Sequence, residues 1–108
     1  MKRTIHFTDN AQNDLFSIYD YIAMNDCESR ADHIFSGLQR TCSGLDEMAG
    51  KGHVPPELEG RVRSDIRELR FEPYRVVYRV KKAKIDILAV FDGRRDARSL
   101  IEQRALRS

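Results

Sequence analysis

Apolar and polar positions recur along this 108-residue chain with two different periods, and the point where one gives way to the other divides it. Thr4 to Phe7 is a short β-type run. Polar Thr8-Asp9-Asn10 follows, in which Asp9, with Gln12 three residues on, predicts an N-cap and capping box. From there Ala11, Leu15, Ile18 and Ile22 fall at helical spacing, flanked by Phe16 and Tyr19, until Met24-Asn25-Asp26 ends the pattern. Asp26 reads as the cap of a second helix. Its stripe, Ala31, Ile34, Phe35, Leu38, Cys42, Leu45 and Met48, runs to Gly50-Lys51-Gly52. Two such helices joined by a few residues predict an antiparallel helical hairpin.

From His53 to Arg63 two consecutive prolines, Gly60 and several charges predict a loop. Beyond it the period is two. Arg67, Leu69 and Phe71 alternate with Glu68 and Arg70. Glu72-Pro73 makes a turn, and Tyr74, Val76, Tyr78 and Val80 alternate with Arg75, Val77 and Arg79, which predicts a β-hairpin. Lys81 to Lys84 is the next turn, and Ile85 to Phe91 is almost wholly apolar, as a central strand covered on both faces should be. Asp92-Gly93 ends it, and Asp96 predicts the cap of a last short helix from Ala97 to about Leu106, with Leu100, Ile101 and Ala105 as a weak apolar face. The fold class is therefore α+β, in the order β-α-α-β-β-β-α, with the helical hairpin packed on one face of a twisted antiparallel sheet. The opposite face is expected to carry Arg75, Arg79 or their neighbours as an open basic concavity.

Length and composition predict a single domain over residues 1–108. A chain of this size buries roughly two-thirds of its unfolded surface, enough core to fold without disulfides or a structural metal. Cys27 and Cys42 are too few and too far apart for a disulfide framework or a zinc quartet, and read as reduced thiols. No apolar signal core follows Met1-Lys2-Arg3 and no long apolar span occurs, so the expected compartment is the cytoplasm, with no membrane involved. Charge is distributed unevenly: residues 1–50 carry four basic against eight acidic side chains, net −4, and residues 51–108 fifteen against nine, net +6. Twelve of those fifteen lie from Arg67 onward, nine of them arginine. The guanidinium fork suits phosphate or carboxylate, so the second half is suited to an anionic partner, nucleic acid or an acidic protein segment.

His6, His33 and His53 stand far apart without acidic or cysteine neighbours at ligand spacing, so neither a metal nor a cofactor is expected. Gly50-Lys51-Gly52 and Asp92-Gly93-Arg94 match no phosphate-loop pattern, and the serine, histidine and aspartate residues have no recognisable nucleophile context. What remains is the arginine set: Arg67, Arg70, Arg75 and Arg79 on the strands, then Arg94, Arg95 and Arg98 after the last one.

The run Leu69-Arg70-Phe71-Glu72-Pro73-Tyr74-Arg75-Val76-Val77-Tyr78-Arg79-Val80, followed by Ile85 to Phe91 and Asp92-Gly93-Arg94-Arg95-Asp96, resembles the C-terminal half of the RelE/ParE superfamily of bacterial type II toxins. The helical hairpin and the length fit as well. The resemblance implies a small toxin neutralised by a separately encoded antitoxin in a higher-order hetero-oligomer. It implies one of two targets: ParE-type members bind and block DNA gyrase, whereas RelE-type members are ribosome-dependent mRNA endonucleases in which the RNA 2′-OH attacks its own phosphate. Carried over by position, the arginine of the Tyr-Arg-x-x-Tyr motif is Arg75 and a second nuclease arginine is Arg94 or Arg95. Two strand lysines of the nucleases fall on Ile66 and Glu68, and their C-terminal tyrosine falls near Leu100 or Ile101, so those are missing. Arginine supplies charge but no proton transfer, which leaves His53, Glu57 or Glu59 of the loop as substitutes. The incomplete acid/base set favours the ParE-like branch: a gyrase inhibitor without hydrolytic chemistry, its target-binding surface made of Arg67, Arg70, Arg75, Arg94, Arg95 and Arg98. The alternatives are a metal-independent endoribonuclease acting on mRNA at the ribosome and a toxin-fold module that only binds antitoxin.

Each residue also has a purely structural reading. Tyr74 and Tyr78 share a face with Val76 and Val80 and suit a core. Arg67 and Arg79 suit strand ion pairs with Glu68, Glu72 or Asp86. Arg94 and Arg95 are exposed by default in a strand-ending turn, and Glu57 and Glu59 are solvent-facing loop charges.

Overall fold

The computed structural model describes residues 2–61 and 65–106. Strand β1 spans Thr4–Phe7, helix α1 Asp9–Asn25, helix α2 Glu28–Ser43, strands β2, β3 and β4 Ile66–Phe71, Tyr74–Val80 and Lys84–Asp92, and helix α3 Arg98–Leu106. Short 3₁₀ turns at Gly44–Asp46, Ala49–Lys51 and Pro56–Leu58 fill the segment before β2. The predicted element order and the helical hairpin are therefore present. The far end of the predicted loop, including Arg63, lies outside the described residues.

The helix starts differ from the sequence reading by one residue. Thr8, not Asp9, caps α1: its backbone is extended, and its Oγ1 accepts the Ala11 N–H at 3.1 Å while donating to the Ile87 carbonyl at 2.9 Å. A hydroxyl both accepts and donates, so Thr8 caps the helix and ties it to β4, which a carboxylate cannot do. Asp26 closes α1 through its N–H to the Ile22 carbonyl and does not cap α2, where extended Cys27 takes the N-cap position without a side-chain bond. Helix α2 stops at Ser43, and the apolar stripe continues through the 3₁₀ turns, with Leu45 and Ala49 buried and Met48 turned out, 59% exposed. Helix α3 begins one residue later than predicted, with the Asp96 carboxylate accepting the Arg98 N–H at 3.2 Å.

Strand order is β1-β4-β3-β2. The β2–β3 and β3–β4 pairs are antiparallel, but β1 runs parallel to β4, from Thr4 opposite Lys84 to Phe7 opposite Ile87, so the sheet is mixed and not purely antiparallel. Alternation identifies a strand without naming its neighbour. The direction of β1 is set by its ties to distant backbone, Arg3 N–H to Asp46 and Thr8 N–H to Ile87. Between Val77 opposite Ala89 and Tyr78 opposite Ile87, Leu88 is an extra residue, a bulge that turns Leu88 and Ala89 to the same face. Beyond the end of β1, side chains serve the edge of β4: Asp14 accepts the Val90 N–H at 3.0 Å and Arg104 donates to the Leu88 carbonyl at 2.8 Å. The two also pair bidentately at 2.9 and 3.1 Å, joining α1 to α3 across the edge.

Two cores result. On the hairpin side Leu15, Ile34, Leu38, Cys42 and Leu45 meet Val76, Tyr78, Ile85, Ile87 and Val90. Gly37 lets α2 close onto β2, since a Cβ there would lie 2.1 Å from the Phe71 ring. On the other side Leu58, Ala97, Ile101 and Ala105 meet Ile66, Val77, Leu88, Ala89 and Phe91. The expected open basic concavity is thus absent: α3 and the Pro56–Leu58 turn cover that face. The apolar face of α3 is weak in sequence, but Ala97 just before it and Ala105 within it allow close approach, and each fully buried Leu or Ile contributes about 1.5–3 kcal/mol.

Candidate functional site

Residues of β2 and β3 that share the α3 side follow from the register: Ile66 opposite Arg79, Glu68 opposite Val77, Arg70 opposite Arg75. Glu68 is therefore a diagonal neighbour of Arg75, and Phe91 of β4 stands directly opposite it. Apolar neighbours bury Arg75 to 4% exposure and Glu68 to 0%. The 3₁₀ turn Pro56–Leu58, anchored by Leu58 in the core, brings Glu57 onto the same guanidinium. Arg75 Nη1 and Nη2 donate to the two oxygens of Glu57 at 2.8 and 2.7 Å, and Nε donates to Glu68 Oε1 at 3.0 Å, which Nη2 also contacts. The guanidinium carbon lies 5.1 Å from the centre of the Phe91 ring.

Arg75 thereby spends four of its five N–H donors on carboxylates. Its hydrogen bonds to Glu57 raise its pKa further above the ordinary arginine value, against the opposing effect of burial. The same bonds hold Glu57 below the usual carboxylate range. Oε2 of Glu68 is buried and has no hydrogen-bond partner among the described residues: His53 Nε2 lies 3.2 Å away but out of line, and Arg70 Nε lies at 3.7 Å.

The loop that carries Glu57 is tied down at its start. His53 and Glu68 exchange backbone hydrogen bonds at 3.1 and 2.7 Å. The buried Tyr78 hydroxyl donates to the Ala49 carbonyl at 2.9 Å and accepts from the Gly52 N–H at 3.1 Å, and Arg67 Nη1 donates to the Gly52 carbonyl at 2.8 Å. Only glycine fits at 52, since a Cβ would lie 2.3 Å from the Glu68 carbonyl oxygen.

The structure thus brings His53, Glu57 and Arg75 together around Glu68, and separates them from the others. Arg98 touches the edge of the cluster through the Glu57 carbonyl at 3.3 Å, and Arg70 is partly exposed beside Glu68 and Glu72. Glu59 is exposed and takes no part. Arg94 lies on the hairpin side, beside Tyr21, Arg30 and Tyr74, and is bound to its own turn: Nε and Nη2 donate to Asp92 at 3.0 and 2.6 Å. Those bonds push the Asp92 carboxyl down to about 2. Arg95 is exposed, its N–H on the Asp92 carbonyl at 3.3 Å.

The strand charges take partners other than those expected from the sequence. Arg67 meets a carbonyl, Arg79 meets the Ala105 carbonyl at 2.6 Å and Asp65 at 3.7 Å, and Asp86 takes Lys81 at 2.9 Å and His6 at 3.1 Å. Tyr78 is fully buried and Tyr74 partly so, as their apolar face implied. Sequence reasoning missed Glu68, Phe91 and Arg30. For Glu68 a signal existed: it is a lone carboxylate in a strand, one diagonal step from Arg75. Among the described residues no group of three or more His, Cys, Asp or Glu is arranged to hold a metal ion, and no helix is long and apolar enough to cross a membrane.

Residues 5–97 match the family described as the ParE toxin of the type II toxin-antitoxin system parDE. No curated protein sequence matches significantly. Among solved structures, the chain is similar to the chromosomal ParDE toxin-antitoxin system of P. aeruginosa, at 25% identity over 84% of this chain and 96% of that one, with a TM-score of 0.69. It is similar in fold to the RelBE toxin-antitoxin complex of Mycobacterium tuberculosis, at 20% identity, 85% and 92% coverage and a TM-score of 0.62. It is likewise similar in fold to a mutant E. coli RelE toxin in the free state, at 14% identity, 99% and 97% coverage and a TM-score of 0.63.

Proposed function

The chain belongs to the ParE toxin family of type II toxin-antitoxin systems, and on that premise we propose that, free of its antitoxin, it arrests growth by binding and blocking DNA gyrase, with no hydrolytic chemistry of its own. The observation that carries this reading is the state of Arg75. An RNA-cleaving centre needs a cation free to meet the phosphorane and groups that take and give a proton. Arg75 is buried and spent on Glu57 and Glu68, and the carboxyl of Glu57 is held low by the same contact, which makes it a poor base near neutrality. The side chains of Arg70, Arg94, Arg95 and Arg98 are left to meet a target, with Arg67 bracing the loop. Arg75 itself then acts by holding that surface in shape.

An antitoxin is the first partner, in keeping with the ParDE complex that the chain resembles. A hetero-oligomer of several toxin and antitoxin chains in the cytoplasm follows from the family reading. One observation favours mRNA cleavage at the ribosome as a second reading: Glu57 meets Arg75 directly, and His53 stands 3.2 Å from Glu68, which also binds Arg75. Brief induction without antitoxin, with DNA and protein synthesis followed together by pulse labelling and purified gyrase assayed for supercoiling, separates the two. Early loss of DNA synthesis and inhibited supercoiling are expected. Early loss of translation with gyrase unaffected would replace the proposal by the endonuclease reading, and no arrest at all would leave a module that only binds antitoxin.

A further inference from the structure

A second charged region lies at the opposite end of β4 from Arg94. Four of the chain's five lysines, Lys2, Lys81, Lys82 and Lys84, stand in two segments far apart in sequence, and the parallel pairing of β1 with β4 draws them to one corner. Thr4 lies opposite Lys84 in that pair and its N–H donates to the Ala83 carbonyl at 3.1 Å, while Arg3 Nε donates to the Lys81 carbonyl at 2.9 Å. The start of the chain is thus laid along the β3–β4 turn. That turn is closed by the Lys81 N–H on the Lys84 carbonyl at 2.9 Å and leaves Lys81, Lys82 and Ala83 exposed.

One buried acid fixes the arrangement. Asp86, 6% exposed, meets Lys81 Nζ at 2.9 Å, His6 Nδ1 at 3.1 Å and Lys84 Nζ at 3.5 Å. Burial pushes its pKa up, but the bonds from Lys81 and His6 outweigh that and hold the carboxyl below the usual range. Each ammonium has three donors, so both lysines keep donors for another anion, and their side chains stay nearly half exposed. Lys82 makes no ion pair or hydrogen bond among the described residues. Lys2 reaches Asp46 at 3.6 Å and Glu47 at 4.0 Å. Five cations, Lys2, Arg3, Lys81, Lys82 and Lys84, therefore stand against three carboxylates, Asp46, Glu47 and Asp86, and the neighbouring Arg79 and Asp65 pair with each other at 3.7 Å. The corner is net positive, and a buried anion holds two of its charges in place.

The chemistry of the lining selects its ligand. Lysine offers a compact point charge that suits phosphate, whereas planar recognition of a carboxylate favours the arginine fork used elsewhere in this chain. Single strands are gripped by stacking on aromatic rings, and none of the exposed large apolar side chains, Phe16, Tyr21, Met24 and Met48, belongs to these segments. Duplex RNA is held in part through 2′-hydroxyls, which take a donor and an acceptor, and ammonium groups only donate. A DNA duplex asks only for charge at fixed places along its phosphates. We propose that the corner formed by Lys2, Lys81, Lys82 and Lys84 is a docking site for the phosphate backbone of duplex DNA, bound without regard to base sequence. Asp86 orders Lys81 and Lys84 beforehand, so less side-chain freedom is lost on binding, and Lys82 at the tip of the turn takes a further phosphate. The site does not depend on gyrase being the target, and its test is separate from the growth experiment.

The test is fluorescence anisotropy of the full chain with a labelled DNA duplex of mixed sequence, repeated over a range of salt concentrations and with a duplex RNA and a single-stranded RNA. About three phosphate contacts predict that log K falls against log salt with a slope of about −3, and Lys82→Gln should reduce that slope by about 1. Lys82→Glu should weaken binding at low salt by about tenfold or more. Lys82 is exposed and unpaired among the described residues, so both variants keep the fold, which circular dichroism verifies. Lys51→Gln, which removes the one lysine outside the corner, and Arg95→Gln should leave the slope unchanged. An equal loss from either of these, a slope indifferent to residue 82, or no binding at low salt overturns the proposal. Tighter binding of the duplex RNA or of the single strand also overturns it, in favour of an RNA surface.

Discussion

Arg75 and Arg94 lie close in the fold, the first directly opposite Phe91 and the second three residues beyond it, yet they occupy opposite environments. Arg75 is enclosed by the second core and binds two carboxylates from different parts of the chain. Arg94 is in water, its side chain 78% exposed, and binds a carboxylate two residues away. An arginine in a basic, target-facing pattern is therefore not basic surface by virtue of its strand position alone. What crosses the face decides. Under α3 and the Pro56–Leu58 turn the charge is neutralised internally and stabilises the fold, whereas beyond the sheet it is available for contact.

The largest effect tests the buried side. Arg75→Ala leaves Glu57 and Glu68 together with no cation between them, and a loss of about 3–5 kcal/mol is expected in urea unfolding. Arg75→Met combined with Glu68→Leu should recover most of it, because the buried charges are then removed together. A loss below about 1 kcal/mol would put Arg75 in the class of an exposed ion pair and erase the comparison. Next comes the anchoring of the loop that brings Glu57 to Arg75. Tyr78→Phe removes the bonds to Ala49 and Gly52 and should cost about 1–3 kcal/mol, with faster hydrogen exchange at the Gly52 amide. Unchanged exchange there would mean that the loop is held without Tyr78.

On the exposed side the expected effects are small. Arg94→Ala should leave the urea midpoint almost unchanged, and the small shift should shrink further at high salt. The pH profile gives the finest test. Asp92 is depressed in the folded state to about 2, against about 3.9 when unfolded. Its contribution is complete above the unfolded value and is lost as pH falls through the folded one. Wild type and Asp92→Asn should therefore differ in stability above about pH 4 and converge towards about pH 2, by an amount that salt reduces. Glu57 is depressed as well, by buried Arg75, so its loss in acid has the same sign but resists salt. Equal salt sensitivity of the two would contradict the contrast between the regions.

Periodicity alone made the helical hairpin and the β2–β3–β4 meander legible, because a 3.6-residue stripe and a 2-residue alternation each require one backbone geometry. Ala11, Leu15, Ile34 and Leu38 are buried as the stripes required, and Tyr78 lies in the core as its face implied. The motif around Arg75 was legible too, and it marks the family correctly. The caps slipped by one residue, because Thr8 and Asp9 are both good cap residues and only Ile87 across the space between them and β4 chooses Thr8.

What the sequence determined by itself is every property set within a few residues: which segments form helices and strands, which face of each is apolar, and where the charges lie along the chain. Tertiary structure decided the rest. The parallel partner of β1, the cover that α3 places over Arg75, the assembly of Glu57, Glu68 and Phe91 around one guanidinium, and the removal of Arg94 to another cleft all depend on residues far apart in sequence. Local pattern states what a residue can present to a neighbour, and packing alone supplies the neighbour. For a charged side chain that neighbour is the difference between a buried ion cluster and an exposed charge.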